Sequence, residues 1–172
     1  NRGTPENSRF EKRQPILAGN RDRWGTTYTG VLFVNLVGGP LPDLLVCHSG
    51  DQVTLHENVG TAHSPIFSED ETTFDIQKNC QGRMDAADWN GDGKIDLITG
   101  SFGGDLQWHP NEGTTQAPKF GPGKSFFDIK SAYNAQPRIV DFNHEGRLDL
   151  LLGNNWGSVT LYLNQGSAEP KL

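Results

Sequence analysis

Asp88-Trp89-Asn90-Gly91-Asp92-Gly93-Lys94-Ile95-Asp96, written DWNGDGKID, sets side-chain oxygens at its positions 1, 3, 5 and 9 and runs straight into the apolar Leu97-Ile98. Gly91 and Gly93 let the backbone curl until Asp88, Asn90, Asp92 and Asp96 converge. Converging carboxylates repel one another unless a cation lies among them. A flexible set of oxygen donors suits Ca²⁺ better than Mg²⁺, which requires stricter octahedral geometry and keeps its waters. The backbone carbonyl of Lys94, at position 7, is the expected additional ligand. An EF-hand would carry a bidentate Glu at position 12. Thr99 stands there instead, inside an apolar run, so the helix-loop-helix reading fails.

Moving outward, the loop proves to be one unit of a repeat. Asp43, Asp96 and Asp149 recur every 53 residues, each followed by Leu, in PDLLV, IDLIT and LDLLL. Asn58-Val-Gly-Thr61, Asn111-Glu-Gly-Thr114 and Asn164-Gln-Gly-Ser167 keep the same spacing, and Pro65-Ile-Phe67 matches Pro118-Lys-Phe120. The acidic loop returns as DFNHEGRLD, offering Asp141, Asn143, Glu145, Asp149 and the carbonyl of Arg147. Its longer Glu arm predicts a second, somewhat looser calcium site. The corresponding NLVGGPLPD keeps oxygen side chains only at Asn35 and Asp43, so that loop is expected to hold no metal.

Each unit reads as four short strands. An apolar first strand (Val31 to Leu36, Met84 to Trp89, Pro137 to Phe142) leads into the loop, followed by DLLVCHS, DLITGSF or DLLLGNN. A Gly-containing turn then gives an alternating third strand such as Ser158 to Leu163. A fourth, marked by Pro and Phe, follows at Pro65 to Phe74 and Pro118 to Ile129. Alternation, Gly turns and even spacing predict an all-β chain of antiparallel four-stranded blades, a β-propeller, with a solenoid-like stack of blades as the alternative. Residues 1–172 form one repeat domain: 1–17 an outer strand of a preceding or closing blade, 18–77 blade 1, 78–130 blade 2, and 131–172 an incomplete blade 3. Propellers have about four to eight blades. Three are therefore expected to belong to a larger ring, or to one completed by a symmetry-related chain.

Bulk composition narrows the function classes. With 21 Gly, 10 Pro and a net charge of -6, the chain fits a turn-rich globular protein. Its apolar runs are strand-sized, well short of the roughly 20 residues a bilayer helix requires, so no membrane insertion is expected. No charged-then-apolar signal segment opens the chain, so any export signal is expected to have been removed or to lie outside this sequence. Without a Lys/Arg block, nucleic acid is not an expected partner. Cys47 and Cys80 are compatible with one bridge or with two thiols.

DWNGDGKIDLITG and DFNHEGRLDLLLG, each followed by N-x-G-[TS], resemble the FG-GAP/VCBS repeat family over nearly the whole chain. That resemblance implies a β-propeller with Ca²⁺ in the loop joining the first two strands of a blade, in a secreted or cell-surface, extracellular or periplasmic protein. Such propellers are similar to integrin α-subunit heads, propeller lectins and several polysaccharide lyases. The first unit departs from the pattern, which touches only its own metal site.

A recognition surface is expected on the ring face opposite the calcium loops, where turns and inter-blade connections gather. Trp24, Tyr28, His48, Arg83, Tyr133, Arg138, Asn155 and Trp156 are the candidate ligand-binding residues there. Flat aromatics lie against the C–H face of a sugar, and Arg and amide groups bond its hydroxyls and carboxylates. The expected partner is a carbohydrate or a cell-surface protein. As an alternative, the module is a polysaccharide lyase acting on uronic-acid-containing glycans, with His48 or Tyr133 as base and Arg83, Arg138 or Lys78 neutralising the carboxylate. No hydrolase triad or HExxH motif is present, and binding is favoured over catalysis. Trp108, aligned with Leu55 and Leu161, reads as core, while His56, His109 and Tyr162 are expected to face a blade surface.

Overall fold

A computed structural model describes residues 4, 7, 30–47, 52–76 and 83–166. Eleven strands are described: β1 (Gly30–Val34), β2 (Asp43–Cys47), β3 (Gln52–Asn58), β4 (Phe67–Asp75), β5 (Met84–Ala87), β6 (Asp96–Gly100), β7 (Asp105–His109), β8 (Lys124–Lys130), β9 (Gln136–Val140), β10 (Asp149–Gly153) and β11 (Val159–Tyr162). They form three antiparallel sheets, ordered β1-β2-β3-β4, β5-β6-β7-β8 and β9-β10-β11. The register repeats with the sequence: Leu45 pairs with Leu55, Ile98 with Trp108, Leu151 with Leu161. These are the expected propeller blades, with the inner strands β1, β5 and β9 adjacent from sheet to sheet.

The second strand of each of the first two units is buried on both faces, and this explains its unbroken apolar run. Odd and even residues of DLLVC and DLITG serve different cores. Leu45, Cys47, Val53, Leu55 and Phe74 of the first sheet meet Met84, Leu97 and Phe120 of the second. Ile98, Leu106 and Phe126 of the second sheet then meet Leu150 and Leu152 of the third. Every sheet-to-sheet contact is therefore made by one face of one unit against the opposite face of the next. Among the described residues no helix is long and apolar enough to cross a membrane.

Two differences from the sequence reading have physical causes. Strand β8 starts at Lys124 rather than near Pro118, because Gly121-Pro122-Gly123 intervenes and only an isolated bridge, Asn111 with Phe120, precedes it. A side chain at Gly123 would meet the ring of His109 at 2.7 Å, so glycine is required where the chain passes that residue. His56 and His109 are buried rather than surface-facing. His109 Nδ1–H donates to the Gly121 carbonyl at 2.9 Å, and Nε2 accepts from the Thr99 hydroxyl at 3.0 Å. Cys47 is buried and disulfide-bonded, and the only other cysteine in the sequence is Cys80.

Candidate functional site

The two acidic loops share one backbone conformation. Gly38, Gly91 and His144 occupy the same repeat position, all with positive φ (75°, 74° and 59°), and Gly93 and Gly146 follow at 82° and 83°. Left-handed geometry at a non-glycine residue is uncommon, so His144 marks a conformation imposed by the loop. Asp88 receives the Asp92 and Gly93 N–H groups at 3.0 and 2.9 Å. Asp141 receives those of Glu145 and Gly146 at 3.0 and 2.8 Å. Asn90 Oδ1 accepts from Asp92 N, and Asp92 Oδ1 from Lys94 N. The side chains at positions 1, 3 and 5 of the second unit thus already shape the turn.

Position 9 has a different role. Asp96 Oδ1 accepts from Asn111 N at 2.8 Å and Oδ2 from Trp108 Nε1 at 3.0 Å. Asp149 accepts from Asn164 N at 2.8 Å and Phe142 N at 3.0 Å. Asp43, in the unit without an acidic loop, accepts from Leu36, Val37 and Asn58 N–H groups. In all three units this buried aspartate clamps the exit of the third strand to the start of the second. Asn58, Asn111 and Asn164 then turn their own Oδ1 onto the N–H of Gly60, Gly113 and Gly166. The N-x-G motif is therefore an Asx turn fastened to the clamp. Sequence reasoning saw its spacing but not this partnership.

The cations at position 7 join the same network. Lys94 Nζ donates to the Asn111 carbonyl at 2.6 Å and pairs with Asp92 at 3.1 Å. Arg147 Nε donates to the Asn164 carbonyl at 2.9 Å, and its guanidinium pairs with Glu145. Burial raises the Asp96 carboxyl above its ordinary value, and the charges of Asp92 and Asp88 push the same way, against hydrogen bonds from Asn111 and Trp108. Burial also acts upward on Asp92, but the Lys94 ammonium and N–H, with the Asn90 amide, outweigh it and hold the carboxyl low. Among the described residues, no three His, Cys, Asp or Glu side chains gather as a metal-ready set. The chemistry of the donors nevertheless fits a hard divalent cation: Asp88, Asn90, Asp92 and Asp96 with the Lys94 carbonyl, and Asp141, Asn143, Glu145 and Asp149 with the Arg147 carbonyl.

On the opposite side lie the β6–β7 turn, the β8–β9 connection and the β10–β11 turn. Asn134 N and Ala135 N donate to the carbonyls of Phe102 and Ser101, and Asn155 N donates to that of Tyr133. Phe102 and Tyr133 meet edge to face, with centroids 4.2 Å apart. Trp156 is exposed on the neighbouring turn, held there by N–H bonds of Trp156 and Ser158 to Asn154 Oδ1. Asn134 has a positive φ, and its buried Oδ1, like the Ser131 hydroxyl, has no hydrogen-bond partner. Tyr133, Asn155 and Trp156 are thus brought to one cluster of loops. Arg138 lies apart, donating to the Met84 and Pro137 carbonyls, while Ile139 N donates to Asp85, so that these groups tie β9 to β5. The Arg83 carbonyl accepts from Gly100 N. Trp24, Tyr28, His48 and Lys78 lie outside the described residues.

Comparison with known proteins agrees with this geometry. Residues 88–152, from the first of the two acidic loops to Leu152 in β10, match the family model of the FG-GAP-like repeat. No curated protein matches the chain. Among solved structures it is similar to one of the Photorhabdus luminescens Tc holotoxin pore, with a TM-score of 0.55 and 18% identity over 80% of this chain. The match spans 6% of that chain, so the likeness is one of fold alone.

Proposed function

We propose, from the FG-GAP-like repeat at residues 88–152, that this chain is a calcium-stabilised extracellular β-propeller module that binds carbohydrate through the loops opposite its calcium sites. The observation that carries the calcium part is the shared shape of the loops at Asp88–Asp96 and Asp141–Asp149, which present oxygen donors from the same backbone positions. Bound calcium would be held by the two donor sets named above, adding its binding free energy to folding. The Cys47 disulfide supports a location outside the reducing cytosol.

For recognition, Trp156 supplies an exposed flat surface, with the Phe102–Tyr133 pair and the amide of Asn155 on adjoining loops. This chemistry suits the alternating C–H and hydroxyl faces of a sugar. A cell-surface protein reached through the same loops is the other partner this composition suits. A lyase is less well supported, because Arg138 spends donors on strand carbonyls rather than facing Tyr133 in a cleft. Glycan-array binding in calcium, repeated with Trp156→Ala, tests the reading: retained binding by the variant to every glycan captured by the parent would overturn it. Release of an ultraviolet-absorbing unsaturated product from uronate oligomers would replace it with the lyase.

A further inference from the structure

The third sheet exposes a face that its two predecessors bury. Val140, Phe142, Leu151, Val159 and Leu161 are the repeat equivalents of Val34, Leu36, Leu45, Val53 and Leu55, all in the core between the first and second sheets. Val53 and Leu106 are 0% and 1% exposed, whereas Val159 is 70% exposed. Leu36 and Trp89 are 1% and 4% exposed, whereas Phe142 is 56% exposed. At the other end of the chain, the first sheet exposes Val31 and Phe33, whose equivalents Met84 and Ala86 lie in the same first core.

A receptor for the free face is present on that first sheet. Phe33, Leu41, Pro42, Pro65 and Phe67, with Thr61 and Ala62, line an apolar cavity of about 260 Å³. On the second sheet the equivalent place is filled. Leu36 and Val37 pack into the core that contains Ala86, Ile95 and Phe120, and a Cβ on Gly38 would stand 3.2 Å from Thr115. In the third unit Phe142, Asn143 and His144 correspond to Leu36, Val37 and Gly38, in the same left-handed loop conformation.

We propose that two copies of this chain associate head to tail, the third sheet of one copy on the first sheet of the other, with Phe142 seated in the Phe33–Phe67 cavity. The contact continues the interface already made twice within the chain, one face of a unit against the opposite face of the next. Its two ends differ, so it is heterologous and must close into a ring or propagate. The sheets described in two copies number six, inside the range of about four to eight that closes a propeller. The inference deepens the propeller reading but rests on neither the calcium nor the carbohydrate assignment.

The test is the mass of the folded chain in solution by analytical ultracentrifugation, at micromolar concentration in calcium-containing buffer. The parent is expected at twice the chain mass. Val159→Asp and Phe142→Ser, on the third sheet, and Phe33→Asp, on the first, are each expected to yield the single-chain mass with unchanged circular dichroism. Mixing Val159→Asp with Phe33→Asp leaves one intact interface and restores a pair, which a merely misfolded variant could not do. A single-chain mass for the parent, as expected if another sheet of a longer polypeptide covers the face, would overturn the proposal. So would a pair that survives all three substitutions, or a mixture that stays at the single-chain mass.

Discussion

Asp43 carries a role its neighbours obscure. In the second and third units the equivalent aspartate stands among other acids and reads as a metal ligand, yet Asp43 makes the same clamp in a loop with no acidic company. A buried carboxylate that accepts three backbone N–H groups leaves all three orphaned when removed. Asp43→Ala is expected to cost about 3 kcal/mol in urea unfolding, equally with and without a calcium chelator. Asp92→Asn should behave in the opposite way, with little effect in chelator and a clear loss of stability in calcium.

His109 is the other residue with a measurable consequence. Burial lowers its pKa from the usual 6.5, although its hydrogen bond to the Gly121 carbonyl acts upward. Above the unfolded value both states are neutral and stability is complete. As pH falls below about 6.5, the unfolded chain takes up a proton that the folded chain refuses, and stability declines until the lowered folded value is reached. Denaturation midpoints between pH 7.5 and 5.5 should therefore fall, and His109→Gln should flatten that slope.

Among the elements, the connections between sheets are more sensitive than the strands they join. A side chain at Gly104, where φ is 91°, would approach the Ser131 carbonyl oxygen at 2.0 Å, and that oxygen belongs to the backbone entering the third unit. Gly104→Ala is expected to cost about 3 kcal/mol, from the left-handed backbone and the displaced connection together. Gly121→Ala, with no atom near the added methyl, should lie within about 0.5 kcal/mol of the parent in the same assay. The strands themselves were legible from alternation and spacing, since DLLVC and DLITG announce two-sided burial. The start of β8 was not, because what delays it is the seat of His109 against Gly123, a contact between segments distant in sequence.

For the whole molecule, two cross-links are expected to carry much of the stability. Reducing the Cys47 bridge should lower unfolding free energy by about 3 to 4 kcal/mol, the figure expected for a closed loop of about 33 residues, the sequence spacing to the other cysteine. Calcium at a hundredfold excess over its dissociation constant should add about 2.7 kcal/mol per site. Melting curves of Asp88→Ala and Asp141→Ala should each lose one part of that increment, and a calcium response undiminished by either substitution would remove the metal from these two loops.

The linear chain alone determined the 53-residue period, the strand pattern, the placing of acids and glycines in the two loops, and through them the propeller fold. All of these are properties of spacing, and spacing is written in the chain itself. Only the folded molecule decided which oxygens of those loops are already taken by backbone N–H groups, that Arg138 ties strands together, and that His109 lies buried against Thr99 and Gly121. It alone also separated the covered faces of the sheets from the open one at Phe142 and Val159. Those outcomes depend on which sheet lies against which, and a repeated sequence writes the same pattern into every unit whether or not a neighbour is there to cover it.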